Sequence, residues 1–324
     1  MAGVGILSTI GHTPLVRLKR VIEDPQLHLY AKLEAFNPGG SIKDRAAFSI
    51  ISNALETGKI RPGTTVIESS SGNMGIGLAQ ACSYFGLRFI CVVDPKTTSQ
   101  NIHIIKAFGA EVDVVSDPDP ETGEFLPARI KLVQSLLRSI PDSYWPDQYS
   151  NIYNAMAHHQ TMHEVVTGLR GKVDYLFCST STCGTLRGCA EYVRARNLRV
   201  KIFAVDAMGS VIFGGTAKKR LIPGHGAAQQ PRLYQPDLAE QCIQVSDVDC
   251  VIGCRRLLRR EAIMAGGSSG GVLAAVERVK AKIPRGAVCV ALFPDRGERY
   301  LDTIYSDEWV KEHFGDVSHF WQHS

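Results

Sequence analysis

No Cys-x-x-Cys pair occurs among the nine cysteines of this 324-residue chain. Their number is odd and their spacing irregular, so neither a disulfide framework nor a zinc knuckle is implied. Cys250 and Cys254 stand one helical turn apart without further ligands in the pattern. His158, His159 and His163 share a helical stretch, and His159 and His163 have metal-friendly spacing. With no third ligand in sight they read as a plain helix face, and no metal is expected. Long apolar runs are missing as well, so no segment is expected to span a bilayer. The opening "MAGVGILSTIG" lacks the basic start of a secretory leader. Charge of one sign is scarce: the net charge is +4, and the cluster Arg255, Arg256, Arg259 and Arg260 has no interleaved aromatics. That excludes a nucleic-acid stripe and suits the wet face of a helix. Internal repeats and low-complexity tracts are absent. These absences lead to the expectation of a soluble cytoplasmic protein with reduced thiols.

What is present is 44% hydrophobic residues, enough for substantial cores in two domains. "TPLVRL" and "LHLYAKLE" read as strands. After Lys43, Ala46, Ala47, Ile50, Ile51, Ala54 and Leu55 form one helical stripe that Gly58 closes. Strand "TTVIE", helix "GIGLAQACSYFG", strand "RFICVVD", helix "SQNIHIIKAFG", strand "EVDVVS" and helix "PARIKLVQSLLRSI" follow. The loop "DPDPETGEF" precedes that last helix, and "PDSYWPDQYSN" (141–151) reads as a crossover between domains. A second series runs through strand "DYLFC", helix "TLRGCAEYVRAR", strand "KIFAVD" and a glycine-rich connection from Met208 to about Pro236. Helices "CRRLLRREAIMAGG" and "GVLAAVERVKAKI" and strand "AVCVALF" complete it. Alternation of this kind predicts an α/β fold with two parallel-sheet domains.

Four turns carry the chemistry. "NPGGSIKDR" (37–45) puts Lys43 where a helix begins, the wrong sign for the positive end of a helix dipole. Either its amine is solvated or it is wanted there for reaction. "SSSGNMGIG" (69–77) offers hydroxyls, the Asn73 amide and backbone N–H groups to an anion at a helix start. Followed by a strand and Asp94, it also resembles a nicotinamide-binding unit, but its glycines are Gly72, Gly75 and Gly77, not the GxGxxG order. "STCGT" (181–185) makes a phosphate cradle from backbone N–H and hydroxyl donors. "GGSSGG" (266–271) reads as a flexible bend between two helices, carrying Ser268 and Ser269. An amine for an aldehyde, a phosphate cradle and space for a heteroaromatic ring describe pyridoxal 5′-phosphate.

"NPGGSIKDR", "SSSGNMG", "STCGT", "GGSSGG" and "GERYL" resemble the cysteine synthase and cystathionine β-synthase family of fold type II pyridoxal-phosphate enzymes, from about Thr9 to Lys311. The resemblance implies two doubly wound, open parallel-sheet domains like the tryptophan synthase β subunit. Residues 1–44 with 150–324 would be the large cofactor-binding domain, and 45–149 a small mobile domain that closes on substrate. It implies Lys43 as the Schiff-base lysine, Asn73 on the ring hydroxyl, Ser181, Thr182, Cys183, Gly184 and Thr185 on the phosphate, and Ser268 facing the ring nitrogen. Ser70, Ser71, Gly72 and Asn73 would grip the substrate α-carboxylate. It further implies a homodimer. A neutral serine at the ring nitrogen makes a milder electron sink than an aspartate would, which suits β-elimination.

The departures bear on substrate. "STCGT" stands in place of the usual GTGGT, "SSGNM" in place of TSGNT, and "PDRGERYLDT" in place of PSSGERYLST. "CVVDPK", "AVDAMGSVIFGG" and "FPDRGERYLDTIYSDEW" look like the aminocarboxyethyl-glutamate synthase branch. That branch joins O-phospho-L-serine to L-glutamate on the way to 2,3-diaminopropionate and siderophores. Lys43 would then move the α-proton, phosphate would leave from Cβ, and the glutamate amine would attack there. Arg129, Tyr149 and Ser181 are the positions expected to bind the extra anionic groups, with a solvated helix arginine as the bland alternative for Arg129 and a domain-joint anchor for Tyr149. Asp295 and Arg296 would form an ion pair shaping the site. Cysteine synthase activity with sulfide, and a catalytically silent protein of the same fold, are the alternatives.

Overall fold

The structure, a computed structural model, describes residues 4–322. The chain forms two compact units. The smaller comprises the residues through Ile10 together with Lys43–Asn154; the larger comprises Gly11–Ile42 and everything from Ala155 onward. The divisions thus fall at 42/43 and 154/155, where the sequence suggested 44/45 and 149/150, and the N-terminal segment groups with the smaller unit.

The smaller unit is built on a four-stranded parallel sheet in the order β5-β4-β3-β6, from β3 (Thr65–Ser69), β4 (Arg88–Val93), β5 (Glu111–Val114) and β6 (Ser143–Tyr144). Strand residues alternate faces. Val66, Phe89, Cys91 and Val93 meet α1 (Lys43–Glu56), α2 (Asn73–Phe85) and α3 (Ser99–Ala107). Ile67, Ile90 and Val92 meet α4 (Phe125–Ser139) through Val133 and its neighbours. Burial on both faces explains why these strands read as near-continuous apolar runs. Thr98 caps α3 by accepting the Asn101 N–H. Gly86 ends α2 in the left-handed conformation at φ 67°. The segment expected to be a plain crossover contains β6, whose pairing with β3 was not foreseen.

α5 (Ile152–Gly168) carries the chain into the larger unit. Its sheet runs β1-β2-β10-β7-β8-β9, with β1 (Leu15–Arg17) antiparallel and the others parallel. The remaining strands are β2 (His28–Leu33), β7 (Tyr175–Ser179), β8 (Lys201–Ala207), β9 (Gln241–Val245) and β10 (Val288–Phe293). Phe177, Phe203, Val205, Ala291 and Phe293 face one core with α7 (Asp247–Glu261) and α8 (Gly267–Val279); Leu176, Cys178, Ala204, Val290 and Leu292 face the other with α6 (Gly184–Ala195). α9 (Asp307–Phe314) and α10 (His319–Gln322) close the chain. Lys32 of β2, 1% exposed, is neutralised at 2.6 Å by Glu164 of α5.

Two expectations are corrected here. "GGSSGG" is not a flexible bend: Gly267–Gly271 are the first turn of α8. Its glycines serve packing. A Cβ on Gly270 would lie 2.0 Å from the Cys250 carbonyl oxygen, and one on Gly253 would lie 2.2 Å from the Gly270 oxygen, so α7 and α8 cross backbone to backbone. α7 also starts earlier than expected, at a capping box in which Ser246 accepts the Asp249 N–H and the Asp249 carboxylate accepts the Ser246 N–H. The other unforeseen strand is β9, which pairs with β8, and the closing helices α9 and α10 were not expected either.

Candidate active site

Lys43 is the first residue of α1, at the start of the smaller unit's main segment. The chain leading to it, "NPGGSI", belongs to the larger unit and is held there by the segment that begins at Pro294. The Ile42 N–H donates to the Pro294 carbonyl at 2.7 Å, Ser41 bridges Asp295, and the Arg299 guanidinium donates to the Gly39 carbonyl. Gly40 sits at φ +84°, and a Cβ there would lie 2.7 Å from Arg296 Nε. Arg296 donates to the Ala35 carbonyl at 2.8 Å, while Asp295 accepts the Tyr300 hydroxyl at 2.5 Å. Both residues of the expected ion pair thus brace the approach to Lys43 through these bonds. The departure "PDRGERYLDT" is structural at these positions.

In the smaller unit, β3 runs into Ser70, Ser71 and Gly72, and Asn73 opens α2. No side chain caps that helix start, so its positive end is offered to an anion. The Ser70 oxygen accepts the Gly75 N–H at 2.9 Å, which leaves the hydroxyl hydrogen to donate elsewhere. Asn101 of α3 props the loop by donating to the Ser71 carbonyl at 3.1 Å. Glu68, 1% exposed, accepts from Ser69 N, Trp145 Nε1 and Gln148 N. Burial pushes its carboxyl up to about 7. Gln148 is buried and donates its amide to the Ser69 carbonyl at 3.3 Å. Tyr149 follows it, partly exposed.

Arg129, on α4, is 9% exposed and places Nε 3.3 Å from the Asp94 carboxylate, so it is not a solvated helix arginine. The other Asp94 oxygen accepts the Lys96 N–H. Asp94 is therefore spent inside its own unit, and the nicotinamide reading that needed it for a ribose loses its acidic residue. The glycines agree. A Cβ on Gly77 would lie 3.1 Å from that of Ala47, and one on Gly75 would lie 3.0 Å from Cys91 Sγ, so both glycines let helices and strand pack closely.

The larger unit carries what a phosphate and a ring nitrogen require. Cys183 precedes α6 in the left-handed conformation at φ 64°, and no side chain caps that helix either. Thr182 and Thr185 flank it, and Thr185 Oγ1 lies 3.2 Å from His158 Nε2. His158 reaches Thr161, His159 reaches Glu191 and His163 reaches the Tyr192 hydroxyl. These are internal duties, and among the described residues no cluster could hold a metal ion. Ser181 is partly exposed at the lip of the turn. Ser268, 9% exposed, sits in the uncapped first turn of α8, where a neutral hydroxyl can meet a ring nitrogen. An uncapped helix start with flanking hydroxyls suits a dianionic phosphate. The donor sets of this unit therefore fit pyridoxal phosphate.

The structure thus assembles Ser70–Asn73 around one helix start, Ser181–Thr185 around a second and Ser268 at a third. Sequence reasoning missed Glu68, Asn101 and Gln148. The signal for Glu68 was the one charged residue in a strand that is buried throughout, which burial forces into a hydrogen-bonding role.

An N-(2-amino-2-carboxyethyl)-L-glutamate synthase of Ralstonia nicotianae is 45% identical over 311 residues, covering 96% of this chain and 92% of that protein. Among solved structures, the O-acetylserine-dependent cystathionine β-synthase from Helicobacter pylori superposes with a TM-score of 0.87 at 32% identity, covering 94% of this chain and 100% of that one. Cysteine synthase from Entamoeba histolytica gives 0.86 at 34% identity, covering 94% and 91%. Residues 6–295 match the family of pyridoxal-phosphate dependent enzymes, and to that family the chain belongs.

Proposed function

We propose that this protein joins O-phospho-L-serine and L-glutamate, releasing phosphate and forming N-(2-amino-2-carboxyethyl)-L-glutamate, a precursor of 2,3-diaminopropionate for siderophores. The observation that carries the reading is the 45% identity to the Ralstonia nicotianae synthase across nearly the whole chain. Pyridoxal phosphate supplies an electron sink that acidifies the substrate Cα–H. Lys43 holds it by Nζ and moves the proton at Cα as general base and acid. Ser70, Ser71, Gly72 and Asn73 hold the substrate α-carboxylate at the start of α2, and Asn73 also bonds the ring hydroxyl. Ser181, Thr182, Cys183, Gly184 and Thr185 hold the cofactor phosphate, and Ser268 accepts or donates at the ring nitrogen without charging it. Arg129, Tyr149 and Ser181 bind the anionic groups that distinguish these substrates. A C–O bond at Cβ breaks with its electron pair going to phosphate, and a C–N bond forms there as the glutamate amine loses a proton. The active protein is a cytoplasmic homodimer.

Cysteine synthesis is the second reading, favoured by the Entamoeba histolytica likeness. The test is to supply purified holoenzyme with O-phospho-L-serine or O-acetyl-L-serine, each with L-glutamate or sulfide, and weigh the products by mass spectrometry. A glutamate adduct formed from O-phospho-L-serine is expected. Cysteine alone, with glutamate untouched, would transfer the protein to the second reading.

A further inference from the structure

The three oxygen contacts of Glu68 tie together pieces of chain far apart in sequence. Oε1 accepts the Ser69 N–H at 2.8 Å and the Trp145 indole N–H at 3.2 Å, and Oε2 accepts the Gln148 N–H at 3.2 Å. Gln148 closes the ring by donating its amide to the Ser69 carbonyl. This knot lies one residue before Ser70, whose oxygen supports the Gly75 N–H at the start of α2. The loop is therefore fixed from both ends, by Glu68 at the strand and by Asn101 at Ser71.

We infer that Glu68 is a positioning residue for the substrate carboxylate, its buried side chain holding the 69–73 loop to the 145–148 segment in the shape that binds. A carboxylate suits the task because it only accepts, and all three facing groups only donate. Adding a proton to either oxygen displaces an acceptor site and leaves a buried N–H short of its partner. The groups that face Glu68 are the Asp147 carboxylate of the 145–148 segment, the Tyr144 hydroxyl of β6 and the Cys91 thiol of β4. Arg129 of α4 also acts on that thiol and is paired with Asp94. Asp147 and burial disfavour the charge, whereas the three donors favour it. The balance leaves Glu68 titrating near neutrality, where the loop would tighten as pH rises. The inference rests on the proposed carboxylate role of Ser70–Asn73.

The experiment compares wild-type and Glu68→Gln holoenzyme. Amino-acid binding is followed by the cofactor absorbance, with O-phospho-L-serine and separately with O-acetyl-L-serine, whose side chain has no group titrating near neutrality. For whichever substrate is turned over, Glu68→Gln should raise KM about tenfold or more and change kcat less than about threefold, since one acceptor becomes a donor facing the Gln148 N–H. In the wild type KM should rise as pH falls through about 7, and in the variant it should not. A second readout needs neither substrate nor cofactor: in a Trp309→Phe/Trp321→Phe background, Trp145 fluorescence should titrate near pH 7 with Glu68 present and stay level with Glu68→Gln. An unchanged KM, a KM that falls with falling pH because charge repulsion outweighs positioning, or a level fluorescence titration with Glu68 present would each overturn the inference. Failure of both serine derivatives to bind would sink the proposed function, and the fluorescence titration would still decide the ionisation of Glu68. If Glu68→Gln does not fold, Trp145→Phe replaces it: loss of one donor should move the KM inflection to higher pH, and an unmoved inflection counts against Glu68.

Discussion

Cys183 is held at φ 64° where a glycine stands in the commoner cradle, and it is 2% exposed against Ile212, Ala227 and Leu233. A side chain in the left-handed region costs about 1 kcal/mol. Removing the thiol loses a similar amount of burial. Cys183→Ala loses the buried thiol and keeps the strain, whereas Cys183→Gly releases the strain but also loses the buried β-carbon, worth about 0.8 kcal/mol. The two nearly offset, so chemical denaturation should place Cys183→Gly and Cys183→Ala within about 0.5 kcal/mol of each other, whereas alanine leads by about 1 kcal/mol at ordinary backbone angles. The same scale shows how much of the site a sequence discloses. Lys43, Ser70–Asn73, Ser181–Thr185 and Ser268 stand out because reactive types sit next to glycines at helix starts. Glu68 does not, because its partners Trp145 and Gln148 are 77 and 80 positions away and only the fold brings them together. The use of Asp94 to pair Arg129 is hidden for the same reason.

At the scale of elements, α7 ends at Glu261 with Ala262 as its left-handed C-cap at φ 56°, exposed to solvent. Nothing is lost in packing when its methyl goes, so Ala262→Gly should stabilise the protein by up to about 1 kcal/mol, less what the glycine adds to unfolded-chain freedom. A shift of the denaturation midpoint in the opposite direction would contradict this. The α7–α8 crossing makes the contrary prediction. Gly270→Ala drives a methyl onto the Cys250 carbonyl and should cost about 3 kcal/mol, visible as a lowered thermal midpoint and a disturbed cofactor spectrum. These two helices also mark where the sequence was opaque. The glycines that admit the crossing lower helix propensity, so Gly267–Gly271 looked like a break. The first turn of α7 is Asp-rich and its capping box was unrecognised. β9, "QCIQV", is short and half polar, with Gln241 and Gln244 on the strand, and lacks the apolar run that betrayed its neighbours. Strands buried on both faces and helices ending in glycine were legible because burial and capping are local demands.

For the whole molecule, two buried groups bend stability against pH in opposite senses. His225, 2% exposed, is pushed down to about 4 from 6.5 by burial, with Arg220 adding to the effect. The unfolded chain takes up that proton first, so its contribution is present above pH 6.5 and lost as pH falls toward 4. Glu68 is pushed up to about 7 from 4.5, so its contribution is present below pH 4.5 and lost as pH rises through 7. Each swing amounts to ~3 kcal/mol, and between about pH 4.5 and 6.5 the two largely cancel. Replacing Glu68 by Gln removes one of them. The variant should gain on the wild type by ~3 kcal/mol from pH 4.5 to 7 in paired denaturation curves, and parallel curves would refute the assignment. Ionising Glu68 is thus a stability penalty borne by a residue that ties Ser69 to the 145–148 segment.

The contact of Gly253 with Gly270 has a mechanical consequence for Ser268. Two main chains that touch have no rotamers between them to absorb a displacement. The serine lies two residues before that contact on the same helical turn, so its hydroxyl inherits the stiffness of both helices. With Ser268 at the ring nitrogen as proposed, changes introduced along α7 should therefore register first as small shifts in the colour of the bound vitamin.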